Sequence, residues 1–203
     1  ERAASPDAFR SPNQTGTDFA LDVARAASTL AEQGHAPAAF LAESILSCGG
    51  QIEPPAGYLA AAYSHARAAG AVCIADEVQT GFGRVGHHMW SFQLQGVVPD
   101  IVTMGKPIGN GFPLGAVVTT RAIADAFANG MEYFTTYGGN PVSTAVGLAV
   151  LDTIRAEGLP PPAREAGEHL KSAPPELSRR SPELAHVRAP GVVRSTAVAR
   201  HTY

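Results

Sequence analysis

The stretch CIADEVQTGFGRVG, Cys73–Gly86, decides the reading of this chain. It continues a short apolar run: Val72, Cys73, Ile74 and Ala75 read as a buried strand. The run then ends on two carboxylates, Asp76 and Glu77, and passes into a glycine-rich turn. A carboxylate at the end of a buried strand needs a partner, because burying a lone charge is costly.

The surrounding sequence places that strand in a layered sheet. TDFALDVARAASTLAEQG (17–34) has helical spacing and a glycine stop, and APAAFLAESIL (36–46) reads as a buried strand ending near Glu43. PPAGYLAAAYSHARAAG (54–70) opens on proline, closes on glycine and reads as a helix. DIVTMGK (100–106) and PLGAVVTT (113–120) are two more strands, followed by helices at 121–129 and about 141–157. Strands alternating with helices predict an α/β fold with a mostly parallel sheet flanked by helices. From Pro160 onward the chain is rich in Pro and Arg, and only 162–171 and 183–188 are expected to be structured.

Composition narrows the function classes. A hydrophobic share of 45% supports a sizeable core, and a net charge of −3 gives no electrostatic footprint for nucleic acid. No apolar run reaches the roughly 18 residues of a membrane span. The start ERAASPDAFR lacks the basic and apolar parts of a signal peptide. Cys48 and Cys73 form neither a metal spacing nor a disulfide framework, and a cytoplasmic setting is expected. His87 and His88 are adjacent, with no carboxylate or thiol at ligand spacing, so no metal is expected. The first residue is Glu, so the chain is read as a piece of something longer.

Asp76 and Lys106 carry the chemistry. Both are placed at strand ends, where ligands of open α/β sheets sit. One alternative is a simple ion pair between them. Lys106, however, lies between Gly105 and Pro107, with Gly109 and Gly111 behind it, a frame that lets a planar ligand approach the backbone. Pyridoxal phosphate suits such a pair. A lysine amine forms a Schiff base with its aldehyde. A carboxylate beside the pyridine nitrogen keeps that nitrogen protonated, so that the ring accepts electrons.

IADEVQTGFGRVG, PDIVTMGKPIGNGFPLGAVVTT and YFTTYGGNPVSTAVGLAVL together resemble the class III aminotransferases, fold-type I pyridoxal-phosphate enzymes, over about Ala36–Gly158. The resemblance implies that residues 1–158 are part of the large cofactor-binding domain, and that 159–203 are a truncated or divergent start of the C-terminal small domain. It implies Asp76 on the pyridine nitrogen, Val78 on the ring face, Gln79 at the ring hydroxyl and Lys106 as the Schiff-base lysine. Thr136 is implied to reach a neighbouring subunit's cofactor phosphate, in a homodimer with active sites at the interface. Val78 also reads as a core valine, Gln79 as a turn cap and Thr136 as a loop hydroxyl. Glu77 is expected to order the turn or pair with Arg84.

In ordinary members of the family the segment at Glu43 reads Glu-Pro, with a second glutamate five residues after the first that pairs with an arginine gating the amino acceptor. Here AESILSCGG places Cys48 at that position. A thiol offers neither the charge nor the bidentate geometry a guanidinium needs. The segment is most similar to the phospho-lyase branch, which includes ethanolamine-phosphate and phosphohydroxylysine lyases. The implied substrate is a small-molecule amine, and the implied reaction is elimination of phosphate. Transamination and a catalytically inactive fragment are the alternatives. Phe112 stands where that branch usually has histidine. Nothing before Ala36 resembles the family's phosphate-cradling loop, and APGVVRSTAVARHTY departs from its Gly-x-Gly turn.

Overall fold

A computed structural model gives the structure of the protein and describes residues 1–172 and 184–198. The first element, α1 (Gly16–Glu32), starts at a reciprocal cap. Thr15 Oγ1 accepts from Asp18 N, and the Asp18 carboxylate accepts from Thr15 N at 2.8 Å. The Thr15 hydroxyl, bonded to the Asp18 carboxylate at 2.6 Å, and then the Thr15 N–H hold the Asp18 carboxyl below its ordinary range. Gly16 is required by close approach: a Cβ there would lie 2.3 Å from the Ala56 carbonyl oxygen. Phe19, Ala20 and Val23 line the buried face of α1. They pack on Tyr58, Leu59, Ala62, Tyr63 and Ala66 of α2 (Tyr58–Ala68), whose spacing forms one helical stripe.

Four strands form the main sheet in the order β1 (Ala39–Glu43), β2 (Val72–Asp76), β3 (Ile101–Met104) and β4 (Ala116–Thr119). The first three are parallel, and β4 returns antiparallel to β3. Cys73 and Ala75 are fully buried, and Cys73 joins the α1–α2 core. By strand alternation Asp76 shares the opposite face with Val72 and Ile74. Asp100 fixes the start of β3. It accepts from Cys73 N at 2.7 Å and from Arg67 at 3.2 Å, tying α2, β2 and β3 together.

A second core gathers Phe82, Met104 and Ile108 against Leu151 and Ile154 of α4 (Pro141–Glu157). Asn140 caps α4 by accepting from Ser143 N at 2.9 Å, and Pro141 opens it. The short α3 (Arg121–Phe127) precedes it and α5 (Pro160–Ser172) follows. A separate antiparallel hairpin joins β5 (Leu184–Arg188) to β6 (Ser195–Val198).

The mostly parallel α/β sheet and the helices match expectation. Three details differ. The 36–46 segment is an edge strand, with Leu41 62% exposed, because among the described residues it pairs with β2 alone; an apolar run does not reveal a strand's place in a sheet. The strand expected to end at Lys106 ends at Met104, and Lys106 opens a 3-10 turn, Lys106–Gly109. Pro107 brings no backbone N–H to extend a ladder. β6 had no periodic signal strong enough to predict it. Pro174 and Pro175, whose missing N–H groups would break a helix, lie outside the described residues.

Candidate active site

Glu77 is the best-held side chain near the strand ends. It is fully buried, and five donors converge on its carboxylate. Ser44 Oγ (2.9 Å), Ser91 Oγ (2.6 Å) and Phe92 N (3.0 Å) bond to Oε1, and Ser91 N (2.9 Å) bonds to Oε2. The Thr80 hydroxyl completes the group, 3.3 Å from Oε2 and 2.6 Å from Ser91 Oγ. Bonds to an ionised acceptor are stronger than neutral ones. Glu77 therefore orders the turn after β2, the first of its two expected roles. Arg84 is exposed and makes no ion pair with it. Ser44, which follows Glu43 at the end of β1, was not foreseen as a partner; its only sequence signal was a hydroxyl where the family has proline.

Asp76 comes just before this knot. It is half-buried, and its Oδ1 accepts from Val78 N at 2.9 Å. Among the described residues no hydrogen bond reaches its Oδ2, and no ion pair joins it to Lys106. The simple ion-pair alternative is thus absent from the structure.

Val78 and Lys106 are brought together through Gly105. A Cβ on Gly105 would sit 3.2 Å from Val78 Cγ1, so the backbone entering Lys106 lies directly on the valine. Lys106 is exposed and has φ +38°, a left-handed conformation that costs a non-glycine residue energy. Register places Asp76 beside Thr103, three residues before Lys106. Gln79 reaches sideways, its Nε2 donating to Cys48 Sγ at 3.6 Å. Sulfur is a weak acceptor, so the amide remains available for an oxygen partner.

Thr136 stands apart. It lies in the exposed segment between α3 and α4, where Met131, Tyr133, Phe134 and Tyr137 are 74–83% exposed, and no described hydrogen bond connects it to the other four residues. Phe112, 40% exposed, lines a cavity of about 740 Å³ between the Lys106 turn, α4 and α5; Asp76, Val78, Gln79 and Lys106 are not part of that lining. His87 and His88 are exposed, and among the described residues no group of three His, Cys, Asp or Glu side chains is placed to hold a metal ion.

Asp76 ends β2, the backbone at Gly105 lies on Val78, and Lys106 follows β3, the strand paired with β2. Residues 2–201 match the aminotransferase class-III family. The chain belongs to that family. It is 55% identical over 161 residues to an alanine–glyoxylate aminotransferase 2-like protein of Drosophila melanogaster, covering 79% of this chain and 33% of the relative. It is 38% identical to ethanolamine-phosphate phospho-lyase homolog 1 of Caenorhabditis elegans, covering 94% of this chain and 44% of the relative. A solved phospholyase from Arthrobacter, in complex with phosphoethanolamine, superposes with a TM-score of 0.82 at 41% identity, covering 87% of this chain and 42% of that one. The chain thus spans less than half the length of these relatives. The fold is that of the fold-type I aminotransferases, and the family depends on pyridoxal phosphate.

Proposed function

We propose that this chain carries the lysine-bearing part of a pyridoxal-phosphate enzyme that acts on a primary amine and eliminates phosphate from an amino-alcohol phosphate. Three features of the strand ends support the fit to the cofactor. Asp76 presents an unbonded carboxylate oxygen, Val78 packs where the backbone is bare at Gly105, and Lys106 is held strained, exposed and without an ion-pair partner among the described residues. In this reading Asp76 would hold the pyridine nitrogen, Val78 the ring face, Gln79 the ring hydroxyl, and Lys106 would offer its amine to the aldehyde. When bound, pyridoxal phosphate supplies an electron sink for the pair released at the amine-bearing carbon. Lys106 Nζ would be the base that takes the proton from that carbon. With loss of phosphate from the next carbon, and with water, the products are an aldehyde, ammonia and inorganic phosphate.

The observation that carries the lyase reading is Cys48. It lies against Gln79 at the place where family transaminases have the gating glutamate. A thiol there leaves no carboxylate to pair with an acceptor-binding arginine. The phosphoethanolamine complex of the Arthrobacter phospholyase supports the same reading. The Drosophila aminotransferase-like relative favours a second reading, transfer of the amino group to a keto acid. Release of phosphate from phosphoethanolamine without any keto acid is expected for the lyase. Activity only with alanine and glyoxylate together would replace it with the transaminase, and inactivity in both assays would favour a fragment without catalysis.

Thr136 belongs to this reading as a residue offered to a second subunit of a homodimer, supported by its exposed, aromatic-rich surroundings. The division at residues 158 and 159, between part of a large domain and the start of a smaller one, is part of the same proposal. So is a cytoplasmic setting, supported by two free cysteines. Among the described residues no helix is long and apolar enough to cross a membrane.

A further inference from the structure

We infer that Arg188, from the C-terminal hairpin, is a positioning residue that fixes the Cys48 loop against Gln79. Arg188 is 7% exposed, although it ends β5 near the C-terminus. Its guanidinium spans two distant segments. Nη2 lies 3.2 and 3.3 Å from the two carboxylate oxygens of Asp7, and Nη1 donates to the Gly50 carbonyl at 2.9 Å. Asp7 is itself buried and set in place, its Oδ1 accepting from Phe9 N at 3.1 Å and its Oδ2 bonding Arg10 at 2.6 Å. The Phe9 ring lies 6.0 Å from the guanidinium carbon.

The Gly50 carbonyl is the far side of the loop that carries Cys48. That loop is closed at its base by the paired bonds of Leu46 and Ile52, at 2.9 and 3.1 Å. Ser47 N donates to the Glu43 carboxylate, and the Ser47 carbonyl accepts from Gly50 N and Gln51 N. These bonds shape the turn but reach only β1. Among the described residues Arg188 adds a hydrogen bond to this loop from outside, and Cys48, two residues before Gly50, is the loop's contact with Gln79. A planar fork with parallel donors serves both acceptors at once; a lysine ammonium reaches one of them.

Hydrogen exchange of the full chain, without cofactor, tests the tie independently of activity. In Arg188→Met the amides of residues 46–52 are expected to exchange several-fold faster, while α2 and β2 stay as in the parent. Arg188→Lys is expected to restore part of the protection. If the methionine variant does not fold, Asp7→Asn decides, with a smaller acceleration confined to the same loop. Unchanged exchange at 46–52 in folded variants, or acceleration spread evenly through α2 and β2, would overturn the inference. A second readout, pyridoxal phosphate titration, is expected to show weaker binding in the same rank order. This readout alone rests on the proposed cofactor site. A loosened loop with unchanged cofactor affinity keeps the role of Arg188 and removes Gln79 from the cofactor site.

Discussion

The turn Asp76–Phe92 and the segment 128–140 both carry residues expected at one cofactor, yet they are built in opposite ways. The first is closed on itself: Glu77 is fully buried and bonded by Ser44, Ser91 and Phe92. The second leaves Met131, Tyr133, Phe134 and Tyr137 exposed around Thr136. The difference separates side chains held by bonds within the chain from side chains left exposed. Asp76, Val78 and Gln79 are placed by bonds within the chain. Thr136 is not, and a patch of exposed aromatic side chains is the kind of surface that another protein covers.

Substitutions on the two sides should therefore behave differently. Glu77→Ala leaves several buried neutral donors without an acceptor, each costing about 1–3 kcal/mol, and is expected to lower unfolding free energy by at least about 3 kcal/mol in urea titration. Glu77→Gln should cost less, because the amide oxygen still accepts. Asp76→Asn sharpens the contrast. Its Oδ1 can still accept from Val78 N, so stability should change by about 1 kcal/mol or less, while pyridoxal phosphate affinity is expected to fall roughly tenfold to a hundredfold.

A pH titration reads the core beneath the turn. Burial pushes the Cys73 thiol up from 9.0 to about 11, and burial raises Tyr63 as well. The folded state then keeps protons that the unfolded state has lost. The stability from Cys73 is complete below pH 9.0 and falls as pH rises toward about 11. Cys73→Ala should flatten that part of the stability curve. The smallest effects belong to the exposed segment. Thr136→Ala and Phe134→Ser are expected to change the stability of the isolated chain by no more than about 0.5 kcal/mol. A loss on the scale of the Glu77 variants would mean that the segment is part of this chain's own core.

Much of this was legible in the sequence. Apolar runs with proline and glycine stops marked α1, α2, α4 and the four sheet strands, because local periodicity carries that information. The strand-end position of Asp76 followed from the same pattern, and the resemblance assigned the other roles. What escaped the sequence depends on distant pairing. Ser44 and Ser91 meet on Glu77 across 33 and 14 positions, Arg188 joins Gly50 and Asp7 across 138 and 181, and the place of β1 at the edge is likewise set by distant pairing. No local period encodes them. The strained φ of Lys106 was hidden too, since nothing but its glycine and proline neighbours hinted at an unusual backbone.

Borohydride reduction of the chain mixed with pyridoxal phosphate reads out whether Lys106 holds the cofactor. Peptide mapping should find the reduced cofactor fixed to Lys106 Nζ, with the label gone in Lys106→Ala and retained in Lys171→Ala. Label spread over Lys171 and Lys106 alike, or undiminished in Lys106→Ala, would contradict the account.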